Sequence, residues 1–336
     1  MDDILVISEV FRFPYKHHYW QMNFFKPRIY MLNWQKKKIL KKITPPPAYF
    51  DKDEYKFLKL CYHYSGARGI TSNHKYIFIA LQNSIVVYDR LLRKQTSRID
   101  HELFNGLHEI IWHKDRLYVT CAVTDSLLIL SEDGHLLGNF FLGADSNFLD
   151  KFSLQPRHID NRLDYRLMHR TQRLFHINCV QVRDESIFVN FNRQGSFVKI
   201  YPKEEIIIQE ENLKESHNAQ FSPDGSHILI NDTKNYSLKV YENSKRLLRS
   251  IDLRKSHLPI DFSKKIIFGF RSHQIKAGWL RGLAFSKDKQ NIVYVGLSPA
   301  MVVAIDYITG EVIDYFRFRK NIWICVHGLH NLSMEK

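Results

Sequence analysis

The sequence predicts an all-β protein, a six-bladed β-propeller closed by pairing of its N- and C-terminal strands. Three observations carry this expectation. Five segments repeat one strand-and-turn grammar at a period of roughly 40 residues. The two chain ends supply complementary parts of a sixth repeat. Helical periodicity is nearly absent from the repeating segments.

Each repeat opens with Arg or His and a short apolar stretch, then a polar turn and two β-rich strands. The first runs Arg68-Gly69-Ile70, then Tyr76 to Ala80, then Ser84 to Asp89. The second runs His108-Glu109-Ile110, Leu117 to Cys121 and Ser126 to Ser131, and the third His176-Ile177-Asn178, Ser186 to Phe191 and Ser196 to Tyr201. The fourth runs His217-Asn218-Ala219, His227 to Asp232 and Ser237 to Glu242, and the fifth Arg281-Gly282-Leu283, Asn291 to Leu297 and Met301 to Asp306. A fourth strand follows, as at Gly138 to Leu142, Glu205 to Gln209, Arg246 to Leu253 and Glu311 to Phe318. Turns rich in Gly, Asn, Asp and Pro separate the strands, among them Ser222-Pro223-Asp224-Gly225. Four short strands per repeat are the pattern of a propeller blade.

The N-terminal strands Ile4 to Glu9, Arg28 to Trp34 and Lys38 to Ile43 lack an opening anchor, whereas His327-Gly328-Leu329 is an anchor with no strands after it. Joined, they make one blade. The expected organisation is a single domain, 1–336, with inserts at 44–66, 143–175 and 254–278 on the face where the channel opens. Each insert precedes an anchor, and insertions gathered on one face of a repeat protein often mark its binding face.

The Ser-Pro-Asp-Gly turn and the strand rhythm resemble the WD40, YVTN and NHL-like propeller superfamily, over almost the whole chain. The Gly-His and Trp-Asp dipeptides of true WD40 repeats are missing.

The anchors His327, Arg68, His108, His176, His217 and Arg281 share one place in the repeat, the start of the innermost strand. In a propeller those positions crowd the mouth of the central channel. Two chemistries suit them. The first is a divalent metal, iron, zinc, manganese or copper, held by His108, His176, His217 and His327, since neutral imidazole is the commonest transition-metal ligand. This is similar to the four-histidine iron site of the carotenoid oxygenases. The second needs no metal. Arg68 and Arg281 bracket a carboxylate, sulfate or phosphate through bidentate hydrogen bonds, and His327 between them acts as acid, base or nucleophile. The arylsulfate sulfotransferases look similar in this respect. Glu9, Asp125, Asn192 and Asp232, in the turns after the second strands, together with Glu109 and Asn178 beside their anchors, are expected to orient the histidines or to touch substrate.

Composition bounds the rest. The chain has 44% hydrophobic and 25% charged residues, the balance of a globular protein with a sizeable core. Its net charge of +14 favours an anionic partner. The lysine-rich stretch Lys36 to Lys42 is interrupted by Ile39 and Leu40 and reads as a guarded edge strand. No nucleic-acid motif accompanies it, so no specific nucleic-acid binding is expected. The four cysteines lack metal-site spacing and read as buried thiols in a reducing compartment. With no apolar stretch long enough to span a bilayer and no signal peptide at Met1-Asp2-Asp3, the expected location is cytoplasmic. The reading is of an enzyme acting on a small anionic molecule, against the alternative of a non-catalytic scaffold for protein–protein interaction.

Overall fold

A computed structural model describes residues 2–11, 26–47, 66–160, 162–167, 173–268 and 273–332. His17-His18, Cys61 and most of the 44–66 insert lie outside the described residues.

Blade one contributes β1 (Ile4–Phe11), β2 (Ile29–Asn33) and β3 (Lys38–Ile43). Blade two is β4 (Ile70–Ser72), β5 (Tyr76–Ala80), β6 (Ile85–Asp89) and β7 (Gln95–Ile99). Blade three is β8 (Leu107–His113), β9 (Arg116–Cys121), β10 (Ser126–Leu130) and β11 (Leu136–Phe141). Two one-turn helices, α1 (Leu142–Asp145) and α2 (Phe148–Lys151), begin the 143–175 insert. Blade four is β12 (Ile177–Arg183), β13 (Ser186–Phe191), β14 (Ser196–Tyr201) and β15 (Glu205–Gln209). Blade five is β16 (His217–Phe221), β17 (His227–Asp232), β18 (Ser237–Glu242) and β19 (Leu247–Asp252). The 254–278 insert carries a hairpin of β20 (Lys265–Phe268) and β21 (His273–Lys276). Blade six is β22 (Arg281–Phe285), β23 (Ile292–Leu297), β24 (Met301–Asp306) and β25 (Glu311–Arg317), and β26 (Ile324–Leu332) follows it. Each blade is a four-stranded antiparallel sheet, and β26 joins the first as β26-β1-β2-β3. The fold is a six-bladed β-propeller closed by pairing of the terminal strands.

Burial explains the composition of each strand. The second and third strands of a blade are covered on both faces, so they are largely apolar, as in Ile77, Phe78, Ile79 and Ala80 of β5. The fourth strands are edges and stay largely exposed, as in β3, β11 and β19. The Lys36 to Lys42 stretch lies on such an edge. Local turn chemistry matches. Lys114-Asp115 and Asp184-Glu185 have paired positive φ values, the geometry of two-residue hairpin turns. In the Ser222-Pro223-Asp224-Gly225 turn, the hydroxyl of Ser222 and the backbone N–H of Ser226 donate to Asp224, and Gly225 takes φ +73°.

The described residues cluster into two compact units. One takes residues up to 47, 66–67 and 220 onward; the other takes 68–219. The boundary runs through β16, so His217, Asn218 and Ala219 belong with blades two, three and four. In the 68–219 unit, one core gathers Phe78, Phe104, Val119 and Tyr165, another Phe148, Phe175, Phe191 and Val198. In the other unit, Leu5, Tyr30, Tyr294 and Val326 share a core, and Leu229, Leu283, Val295 and Val303 form a second. The thiols of Cys121, Cys179 and Cys325 are buried, as expected.

Candidate functional site

Three of the six anchors meet within the 68–219 unit. His108 is the second residue of β8, His176 immediately precedes β12, and His217 opens β16. Their ring centroids lie 5.0 Å apart for His108–His176, 6.1 Å for His108–His217 and 6.5 Å for His176–His217. His108 and His217 are buried and His176 half-buried. The fourth anchor of this unit, Arg68, donates from Nη1 to the carbonyl of Leu107, beside His108, at 2.8 Å.

Hydrogen-bond partners assign the protons on two rings. Arg173 Nη1 lies 2.9 Å from His176 Nδ1. A guanidinium only donates, so His176 Nδ1 accepts and the ring proton sits on Nε2. His217 Nδ1 lies 3.0 Å from the carbonyl of Glu215, which only accepts, so His217 carries its proton on Nδ1 and turns the Nε2 lone pair away from that carbonyl. Among the described residues, no group of three or more His, Cys, Asp or Glu is arranged to hold a metal ion.

Glu109 follows His108 in β8 and is only partly accessible. Asn218 donates from Nδ2 to its carboxyl, and Thr120 Oγ1 accepts from its backbone N–H at 2.9 Å. Burial raises the carboxyl to about 8, against the weaker opposing bond from Asn218. Glu109 therefore stands as a neutral acid at pH 7, able to donate a hydrogen bond or a proton. An ordinary glutamate in the unfolded chain loses its proton near pH 4.5, so this group draws stability away as pH rises from there to about 8. Glu109→Gln is expected to abolish that slope and to stabilise the protein by roughly 2–4 kcal/mol at pH 8, with little change at pH 4. Urea melts at the two pH values check it; equal effects at both would show the carboxyl ionised in the folded state.

His176 and Asn218 both adopt left-handed backbone conformations, at φ +54° and +51°. Such a residue costs about 1 kcal/mol or more unless its surroundings impose it, and the cost is often found at functional sites.

The turn residues expected to orient the imidazoles act on backbone instead. The carboxylate of Asp125 accepts from the N–H groups of Leu174, Phe175 and His176 at 2.6, 3.2 and 2.6 Å, fixing the segment that delivers His176. Burial raises this carboxyl while those bonds oppose the rise. Asn192 donates to the carbonyl of Ser216, just before His217, at 2.8 Å. Asn178 donates to the same carbonyl at 2.7 Å and accepts from Asn190 at 2.8 Å. Blade two uses both backbone and side chain of Gln82, whose carbonyl accepts from Leu107 N and whose Nε2 donates to Asn105 Oδ1 at 3.2 Å. The turn after each second strand in this unit thus grips the stretch that enters the next blade's innermost strand.

The same device recurs in the other unit. Thr233 Oγ1 donates to the carbonyl of Leu280 at 2.8 Å, ahead of Arg281. Ser298 Oγ donates to the carbonyl of Ile322 at 3.3 Å, ahead of β26. The backbone N–H of Ala67 donates to the carbonyl of Glu9. Asp232 stays within its own blade, accepting from Asn235 Nδ2 at 3.0 Å with Lys239 Nζ at 3.8 Å. Glu9 is fully buried, and Arg319 Nε and Arg28 N donate to it at 3.1 and 3.0 Å. Burial nevertheless raises its carboxyl to about 7. His327, buried in β26, and Arg281, which lies over Trp279, sit on strands that pack together in this unit.

Sequence reading missed Arg173, Asn218 and Arg319. Asn218 occupies the place after its anchor that Glu109 occupies after His108, so the repeat alignment already held that signal. Arg319 and Arg173 stand outside the repeat grammar.

No family model matches the chain, and no curated protein does. Solved structures do. A protein of unknown function from Bacteroides caccae is 9% identical over 99% of this chain and 100% of its own, with a TM-score of 0.59. A chain of a nidogen/laminin complex is 11% identical over 98% of this chain and 99% of its own, with a TM-score of 0.56. Streptogramin B lyase is 12% identical over 76% of this chain and 70% of its own, with a TM-score of 0.45. At 9% and 11% identity, the first two likenesses speak for the propeller fold and for nothing beyond it.

Proposed function

We propose that His108, His176 and His217, with Arg68 and Glu109, form a binding site for a small anionic molecule, and that Glu109 exchanges a proton with it. The observation that carries this reading is the approach of three imidazoles from three consecutive blades to within 5.0–6.5 Å. Donors dominate the site. His176 presents Nε2–H, Arg173 brings a guanidinium to that ring, Arg68 brings one to the carbonyl beside His108, and Glu109, next to His108 in β8, carries an O–H in its acid form. Such a set complements a carboxylate, sulfate or phosphate through charge-assisted hydrogen bonds. A carboxyl held near pH 8 beside such a ligand suits general acid–base work at neutral pH.

A divalent metal competes for the same rings. Ligation by His176 requires a free nitrogen lone pair, and Arg173 holds the one at Nδ1. The donor set therefore favours the anion.

Titration calorimetry with inorganic phosphate tests the reading. Wild-type protein, freed of metal by chelator, is expected to bind phosphate, and His176→Ala to weaken binding about tenfold or more, a loss of about 1.4 kcal/mol. His217→Ala should weaken it less, because its Nδ1–H is committed to Glu215. Phosphate affinity unchanged in His176→Ala would sink the anion site. Elemental analysis of protein purified without chelator or histidine tag supplies the other arm: roughly stoichiometric metal that disappears in His217→Ala replaces the anion with a metal centre.

A further inference from the structure

On the outer side of the unit holding blades five and six, β19 and β25 face a common groove of about 610 Å³. Both strands end their sheets, so each presents an edge to which another strand can be added. The groove is within the size range of ligand pockets.

Apolar side chains line much of it, together with the cations Arg249 and Lys255 and the acids Asp252, Glu311 and Asp314. Ile251 and Leu258 are buried at its floor, while Ile313 and Tyr315 line it with 54% and 43% of their surface exposed. Arg249 crosses the groove over Gly310, its Cδ 3.0 Å from where a Cβ would stand, and Gly310 itself takes φ +87°. Lys255 adds a second exposed cation to the lining. Of the three acids there, Asp252 pairs with Arg254 at 2.7 Å and Asp314 with Lys37, which leaves Glu311 facing the two cations Arg249 and Lys255.

We propose that this groove docks an extended peptide segment in which acidic residues alternate with large apolar ones. The open edges of β19 and β25 supply main-chain hydrogen bonds to such a strand. Alternate side chains of the strand then point to opposite sides. The apolar ones cover Ile313, Tyr315 and Leu258, and the acidic ones meet Arg249 and Lys255. The site is separate from the histidine cluster and does not depend on that cluster's ligand. An exposed apolar surface rimmed by charge is also what a protein-interaction role requires.

The test is fluorescence anisotropy with a labelled peptide of alternating Asp and Leu, its Lys-Leu counterpart, and an Asp-Leu peptide N-methylated along its backbone. The Asp-Leu peptide is expected to bind, the other two to bind at least about tenfold more weakly. The double variant Arg249→Glu/Lys255→Glu, at exposed positions that leave the fold intact, should lose the same factor, and Ile313→Asp should lose binding by itself. His176→Ala should bind like the wild type. Equal affinity for the Lys-Leu peptide, indifference to the charge reversal, or no binding of the Asp-Leu peptide at about 1 mM would each overturn the proposal.

Discussion

Removing Val326–Lys336 is expected to leave a chain that does not fold. The deletion takes away most of β26, which pairs with β1 from Ile4↔Leu332 to Phe11↔Ile324, with a register shift between Ser8 and Glu9. At the shift, Gly328 N donates to Ser8 Oγ at 2.8 Å. Val326, Leu329 and Leu332 are buried, each contributing about 1.5–3 kcal/mol on leaving water. Without them Leu5, Ile7 and the backbone groups of β1 that they cover are exposed, and blade six loses the strand packed beside β22. Those three side chains alone amount to about 4.5–9 kcal/mol, comparable to the roughly 5–15 kcal/mol that holds a typical domain together. Circular dichroism of the truncated chain should show no cooperative melt. A melt like that of the full chain would mean that the fold does not need this strand pairing.

The second large effect is expected from Asp3→Ala. Asp3, which precedes β1, is buried, and its carboxylate accepts from Ser286 Oγ, Tyr294 OH and Asn331 Nδ2 at 2.6 Å each and from Lys287 N at 2.9 Å. Three different strands or turns of blades one and six are thereby tied to a single carboxylate. Alanine leaves these donors buried with no acceptor, a loss of roughly 3–5 kcal/mol. The carboxyl lies below its ordinary value because the bonds from Ser286, Tyr294 and Asn331 outweigh its desolvation. A lowered folded-state value means that this stabilisation is present above the unfolded-state value, near pH 4, and is lost as pH falls through the lowered one. Wild-type protein should therefore lose stability in acid where Asp3→Ala does not. The measurement is urea unfolding of both chains from pH 7 down to pH 3. A parallel decline in the two would show that Asp3 is not an acid-sensitive tie.

Strand positions were legible because they are local. β3, β5, β13, β14, β17, β18 and β24 begin and end where alternation, β-branched residues and turn signals place them, and a mismatch of one or two residues elsewhere falls at ends that fray. The closing strand was legible from repetition, since an anchor without strands and strands without an anchor complete one blade. The inserts were legible only as interruptions; that one holds two short helices and another a hairpin depends on what each packs against.

The candidate site divides along the same line. That His108, His176 and His217 share one place in the repeat follows from the sequence alone, because a repeated backbone puts equivalent residues at equivalent places. What each side chain touches does not. Asp125 and Asn192 grip backbone rather than imidazole, Arg173 takes a ring nitrogen of His176, and Glu109 meets Asn218 across 109 residues of chain. Asp3 gathers donors more than 280 residues away, and Glu9 finds Arg319. Periodicity and turn chemistry act over a few residues and therefore determined the blades of this protein. The partners of its buried charges are chosen by desolvation and packing among segments distant in sequence, and only the tertiary structure decided those.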